Sequence, residues 1–359
     1  MNTTTFSRFP VWAALMLVTV AAAAHGESHL MRFADVDKDK IVFTYEGDLW
    51  LVWSSGGDAI RLTRSAGEER FAKLSPDGSL VAFTANYDGG SDVYVMSTTG
   101  GEPRRLTFHP ASDDVLDWFP DGESILFRSR REYPFRVDKL FKVAVEGGPE
   151  EKLPVDQAGL SSLSPDGKRI AYCRISREFA TWKRHQGGTA QDLWMGSLAD
   201  RDYKKITDWA GTDSYPMWWG DGIYFLSDRK FGTLNLYRYD VPTGQVKALT
   251  SYTDFDVKYP SIGGNQIVFQ YGESLHVLEL GKEQVRGVPV NIKSDATLTR
   301  EKFVSAADHT GAFGLSPSGQ LLAIESRGEI LTVPAKEGRA LNLTQTSGSR
   351  EKNCAWSPD

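Results

Sequence analysis

Cysteine is almost absent from this sequence: two residues in 359, Cys173 and Cys354. Cys173 lies in the strand-like run RIAYCRIS, and Cys354 lies near the other end in a different architectural unit. Two thiols so placed read as small core residues, so the fold is not held by disulfides. Helical periodicity is missing too; no useful length of chain carries apolar residues at a 3.6-residue period. A basic stripe is missing as well. The 41 Lys and Arg stand against 47 Asp and Glu, a net charge of −6, which argues against a dedicated nucleic-acid binder.

Familiar catalytic and metal signatures are also lacking. There is no G-x-S-x-G elbow, no H-E-x-x-H, no P-loop and no C-x-x-C pair. The six histidines (His25, His29, His109, His185, His276 and His309) show no paired metal spacing. No catalytic residue, metal ligand or cofactor is therefore assigned to this chain. DVDKDKIVFTYE, Asp35 to Glu46, matches a calcium loop at positions 1, 3, 5 and 12. Lys40 stands where that loop needs glycine, so a solvated turn between strands is expected.

Long apolar runs are confined to the start. VWAALMLVTVAAAA follows a single positive charge at Arg8 and precedes the small residues AHG at 24–26. Residues 1–26 read as a secretory signal peptide, with an uncleaved anchor as the alternative, so an exported, periplasmic protein is expected. No later stretch is apolar enough to span a bilayer.

What the chain does contain is repetition. LSPDG occurs at Leu74–Gly78, FPDG at Phe119–Gly122, LSPDG again at Leu163–Gly167 and WWGDG at Trp218–Gly222. SIGGN at Ser261 is a degenerate copy, LSPSG begins at Leu315, and WSPD begins at Trp356. Most spacings are about 41 to 45 residues, the period of a four-stranded propeller blade. After each turn come an apolar strand (LVAFTA, SILFRS, GIYFLS), a second strand (DVYVM, KLFKV, NLYRY), a Gly-rich turn and a polar strand such as RRLT. Such hairpins make antiparallel sheets arranged radially. The SPDG aspartates recur at equivalent positions, so they are expected to hold the turns by Asx-type hydrogen bonds. Trp118, Trp218 and Trp219 fall on the innermost strands, as core or channel-wall residues.

The expected fold is all-β: a six-bladed propeller of four-stranded antiparallel blades at residues 33–290, closed without strand exchange. A polar linker follows at 291–303. Residues 304–359 then hold the first blade of a second, truncated propeller, since repeat folds need neighbours to bury their faces.

One connection stands out. FATWKRHQGGTAQDLW, Phe179 to Trp194, joins the second and third strands of blade four and is about ten residues longer than its counterpart in blade two. Such connections emerge on one face of a propeller with the links between blades. Trp182, Lys183, Arg184 and His185 are therefore expected on one rim of the central channel, as substrate-channel candidates. A lid packed on the neighbouring blade with Trp182 as its anchor is the equal alternative.

With these residues in view, the chain resembles the N-terminal part of a bacterial tricorn-type serine protease. The most specific pieces are FATWKRHQGGTAQDLW, GIYFLSDRKFGTLNLYRYD, TDFDVKYPSIG and SRGEILTVPAKEGRALNLTQTSGSRE. The resemblance implies that a second propeller, a PDZ-like domain and a catalytic domain follow in the same polypeptide. It also implies peptide substrates, a homo-oligomer when full length, and a role of this region in gating peptide access. The nucleophilic serine, its histidine and the oxyanion donors would all lie outside this chain, which alone is expected to be inactive. One departure is clear. In the family's archaeal archetype a pair of arginines between blades two and three is proposed to hold the peptide's C-terminal carboxylate. Here that link reads FHPASDD, Phe108 to Asp114, without arginine, and Arg130 and Arg131 follow a strand of blade three instead. A TolB-like periplasmic binding propeller without catalytic activity is the alternative reading. A dipeptidyl-peptidase-type propeller is a third.

Overall fold

The computed structural model describes residues 30–132, 137–294, 305–346 and 349–358. The expected signal peptide and most of the expected linker lie outside them. The chain divides into two compact units, residues 1–294 and 295–359. Among the described residues the structure is all β apart from a three-residue 3-10 turn at Ala307–His309. No described helix is long and apolar enough to cross a membrane.

The first unit holds six four-stranded antiparallel sheets, each made from one continuous stretch of chain. Their innermost strands are β1 (Arg32–Asp37), β2 (Glu69–Leu74), β3 (Asp113–Trp118), β4 (Ser161–Leu163), β5 (Asp213–Trp219) and β6 (Val257–Gly263). Each touches the next in order, and β6 touches β1, which closes a ring. The sheets start and stop in the phase the repeats predict.

The second strand of every sheet is a continuous apolar run because both of its faces are covered. Alternate side chains of a strand point to opposite faces. Ile41 and Phe43 accordingly pack toward blade six, against Val268 and Val277. Val42 between them packs toward blade two, against Val81 and Phe83. Such a cluster fills each of the six seams between neighbouring sheets. Phe43, Phe83, Phe127, Phe225 and Phe269 are fully buried, and each contributes about 1.5–3 kcal/mol by leaving water. Trp118 and Trp218 belong to these seams, whereas Trp219 is 37% exposed.

The turn chemistry follows the repeated residues. Asp77 accepts from Ser75 Oγ at 2.6 Å and from the Ser79 amide at 3.0 Å. Asp166 does the same with Ser164 and the Lys168 amide. These donors hold the Asp77 carboxyl at about 2 and that of Asp166 below its usual range. The threonine of each RLT-type strand has a job of its own. Thr63, Thr107, Thr207 and Thr250 accept the amides of Leu49, Val93, Leu193 and Leu236 at 2.8–3.1 Å. The degenerate turn SIGGN has a steric cause. A Cβ on Gly263 would lie 2.0 Å from Val36 O, so only glycine lets blade six close on blade one. Residues 35–46 fold as two paired strands, without flanking helices.

Ring closure involves more than packing. Val290–Asn291, after the sixth sheet, pairs in parallel with Gly57–Asp58 of blade one. Gly57 N donates to Pro289 O and Ala59 N to Asn291 O, both at 2.9 Å. Arg286 Nη1 donates to Ser54 O at 2.6 Å, and Lys293 pairs with Asp58 at 2.9 Å. The expectation of closure by blade-to-blade packing therefore needs this addition, although among the described residues no four-stranded sheet exchanges a strand.

In the second unit, Thr310–Leu315, Leu321–Ser326, Glu329–Pro334 and Leu341–Asn342 form one four-stranded antiparallel sheet. Trp356 Nε1 donates to Gly314 O at 2.8 Å, and Phe313 and Leu315 stay exposed. Cys354 is here and Cys173 is buried in the first unit; both are free thiols. Burial pushes the Cys173 thiol well up.

Candidate functional site: the central channel and its rim loop

The six innermost strands line the central channel. Five of them carry a bulge next to the channel. In four, an aromatic residue at the bulge takes a left-handed backbone: Phe33, Phe71, Tyr215 and Tyr259, with φ between 47° and 55°. Bulky residues avoid this conformation, which costs of order 1–3 kcal/mol and tends to occur where function is held. The four rings form a collar. Phe33 lies 4.9 Å from Phe71 and 4.6 Å from Tyr259, and Tyr259 lies 6.4 Å from Tyr215.

Two positions further along each strand is a polar belt. In register order it reads Asp35, Lys73, Asp117, Ser162, Met217 and Ser261. Lys73 pairs with Asp35 at 3.3 Å, and both bond to Ser261. Asp117 accepts from its neighbour's amide, Trp118 N, at 2.9 Å and from Ser162 Oγ at 3.2 Å. Burial pushes its carboxyl up to about 6 against the pull of Lys73.

The long connection of blade four reaches this collar. Phe179 sets its ring 6.1 Å from Phe33 and 6.0 Å from Phe71. Its neighbour Glu178 is buried against Arg128 of blade three. Arg128 also binds Asp114 at 3.0 Å and Ser176 at 2.9 Å. Burial opposes the Arg128 charge, but Glu178, Asp114 and Asp138 outweigh it and hold the guanidinium more firmly protonated.

The four candidates on the loop lie together at the rim and are mostly engaged. Lys183 pairs with the buried carboxylate of Asp256 at 2.6 Å. Arg184, itself left-handed at φ 55°, donates from Nε to Gly232 O at 2.9 Å. His185 shares a hydrogen bond with Thr189 at 2.8 Å. Trp182 is half exposed, with the Arg177 guanidinium 5.2 Å over its ring. The anchors of the loop are thus Glu178, Phe179, Lys183 and Arg184. They tie it to blades one, two, three, five and six. Between the loop and blades five and six is a cavity of about 430 Å³; on the blade-three side is another of about 830 Å³.

The arginines after the blade-three strand are already paired. Arg130 binds Asp138 at 2.8 Å, and Arg131 binds Asp113 at 2.6 Å. In the link between blades two and three, Asp114 is held by Arg70 and Arg128.

Sequence reasoning quoted Phe179 without selecting it, and missed the collar and the belt. A signal was present. Phe33, Phe71, Tyr215 and Tyr259 each stand three residues before the residue that enters the turn, Val36, Leu74, Trp218 and Ile262. Aligning the repeats on their turns exposes that column.

Comparison with known proteins agrees with this architecture. Residues 28–284 match the family described as the tricorn protease N-terminal beta propeller domain. A tricorn protease homolog of Saccharolobus solfataricus (strain ATCC 35092 / DSM 1617 / JCM 11322 / P2) is 27% identical over 340 residues, 93% of this chain and 31% of its own length. The crystal structure of the tricorn protease superposes with a TM-score of 0.72 at 24% identity, covering 89% of this chain and 32% of that one. A putative TolB from Agrobacterium tumefaciens shares the fold with a TM-score of 0.51 at 21% identity, over 62% of this chain and 81% of its own. The chain spans about a third of the length of the tricorn relatives it matches.

Proposed function

This chain belongs to the tricorn protease N-terminal β-propeller family, and on that premise we propose that it is the peptide-gating region of an exported tricorn-type serine peptidase. The loop at 174–192 is the gate. The observation that carries this reading is the seat of Phe179 against Phe33 and Phe71, where a rim loop meets the aromatic collar of the channel. Left-handed aromatics at four inner strands, held by bulges, make a rigid seat for such a stopper. The hydrolytic groups come from the rest of the polypeptide, which also supplies the second propeller, and the full-length chain forms a homo-oligomer. Short peptides are the substrates.

The reading is tested in the full-length protein by replacing Phe179 with alanine and measuring kcat/KM over a series of peptide lengths. An open channel changes the length dependence. Identical profiles for the variant and the parent overturn the gate. A full-length protein without peptidase activity overturns the wider reading and favours a TolB-like binding propeller.

A further inference from the structure

We infer that the channel just inside the aromatic collar is a binding site for the primary ammonium group of a short peptide, with Asp117 as its counter-ion. A cavity of about 80 Å³ lies there, lined by residues of all six innermost strands. That is room for an ammonium head and one or two carbons, or for a few waters.

The charge pattern of the belt points to a cation. Three of its six positions are ionisable: Asp35, Lys73 and Asp117. Lys73 is committed to the blade-one side, where it meets Asp35 at 3.3 Å and also bonds to Ser261. Asp35 is satisfied further by the Leu74 amide at 2.8 Å. Asp117 has no ion-pair partner among the described residues. Its donors are one backbone amide and one serine hydroxyl, and Ser162 also accepts the Trp218 amide at 3.0 Å. One partly buried carboxylate of the channel wall thus lacks a counter-ion at contact distance, and a partly desolvated charge gains from a partner.

The collar supplies the rest. Phe33, Phe71, Tyr215 and Tyr259 border the same cavity. Aromatic rings together with a carboxylate suit an ammonium group, because ring quadrupole and charge act in the same sense. A free carboxylate would meet Asp117 across a confined space, so the arrangement selects the amino end of a peptide against its carboxyl end. Protonation of Asp117 switches the site off. Burial sets that titration near pH 6, with Lys73 lowering it, Asp35 raising it and Ser162 lowering it.

The site deepens the peptide-path reading and rests on it, yet its test involves no hydrolysis, so the two can fail separately. Glycinamide and N-acetylglycinamide are titrated into the 359-residue chain at pH 7, where an α-ammonium is still mostly protonated, and at pH 5, by calorimetry or by NMR of the tryptophan side chains. Glycinamide is expected to bind in the millimolar range at pH 7, at least about tenfold more tightly than its acetylated analogue, and to lose binding at pH 5. Asp117→Asn is expected to abolish the preference. Equal binding of the two probes, no binding of either at pH 7, or an unchanged preference in D117N would each overturn the site. Should D117N fail to fold, the two-probe, two-pH comparison in the parent chain decides alone.

Discussion

Lys183, on the outer loop of blade four, places its ammonium 2.6 Å from Asp256, a buried carboxylate that opens blade six. The two are 73 positions apart in sequence, and blade five lies between them. The loop is therefore a strap that crosses a whole blade.

Removing the strap's cationic ties should free the loop without unfolding the ring. In the double variant Lys183→Ala, Arg184→Ala, one exposed hydrogen bond is lost and the buried Asp256 carboxylate loses its counter-ion while keeping the Leu234 amide, at a cost of about 1–3 kcal/mol. The expected result is a modestly lowered Tm with faster tryptic cleavage at Arg177. Limited proteolysis followed by mass spectrometry reads it, and an unchanged cleavage rate would show that Glu178 and Phe179 hold the strap alone.

A second prediction concerns pH. Burial pushes the Glu69 carboxyl up to about 7, although Tyr87 and Thr63 donate to it at 2.6 and 2.9 Å. Between its ordinary value of about 4.5 and about 7 the folded chain holds a proton that the unfolded chain has released. This contribution is complete below pH 4.5 and lost as pH rises through 7. Glu69→Gln should match the parent near pH 4.5 and exceed it at pH 8, by about 1–3 kcal/mol. Urea unfolding at the two pH values measures the difference.

The clasp can be tested at Gly56. It sits at φ +92°, and a Cβ there would lie 2.4 Å from Pro289 O. Gly56→Ala should cost about 1–3 kcal/mol through strain and displacement of Pro289. Amide exchange should speed up first at Gly57 and Ala59, the donors of the clasp. Uniform acceleration throughout the ring would mean that the clasp does not open on its own.

A seam residue gives the contrasting case. Phe225 is fully buried between blades four and five. Phe225→Ala should cost about 3–5 kcal/mol, with calorimetry showing a lower Tm.

Much of the architecture was legible because it is written locally and repeatedly. Apolar runs such as ILF and IYF declare strands covered on both faces. The SPDG turns and RLT threonines recur with one hydrogen-bonding role each. The channel was less legible. Whether Phe71 points into the lumen depends on a bulge and a positive φ, which composition does not record. The ties of the loop run to Arg128, Asp256 and Gly232, each on a different blade, so spacing alone does not pair them. The isolation of Asp117 is equally invisible in sequence, since it follows from Lys73 having turned to Asp35. Trp182, the most conspicuous side chain of the loop, and the quieter Phe179 are both half exposed, but it is Phe179 whose ring meets the collar.

The pairing of Val290–Asn291 with Gly57–Asp58 has a topological consequence. Five of the six seams are crossed by the polypeptide itself; the one between blades six and one is joined only by noncovalent contacts. The parallel pair does there what a peptide link does elsewhere. A circular permutant that joined residue 292 to residue 31 by a short linker would make that seam covalent and leave the pair redundant, while the new cut would become the weak point. In that sense the molecule has no intrinsic first blade, only a place where its circle happens to be fastened.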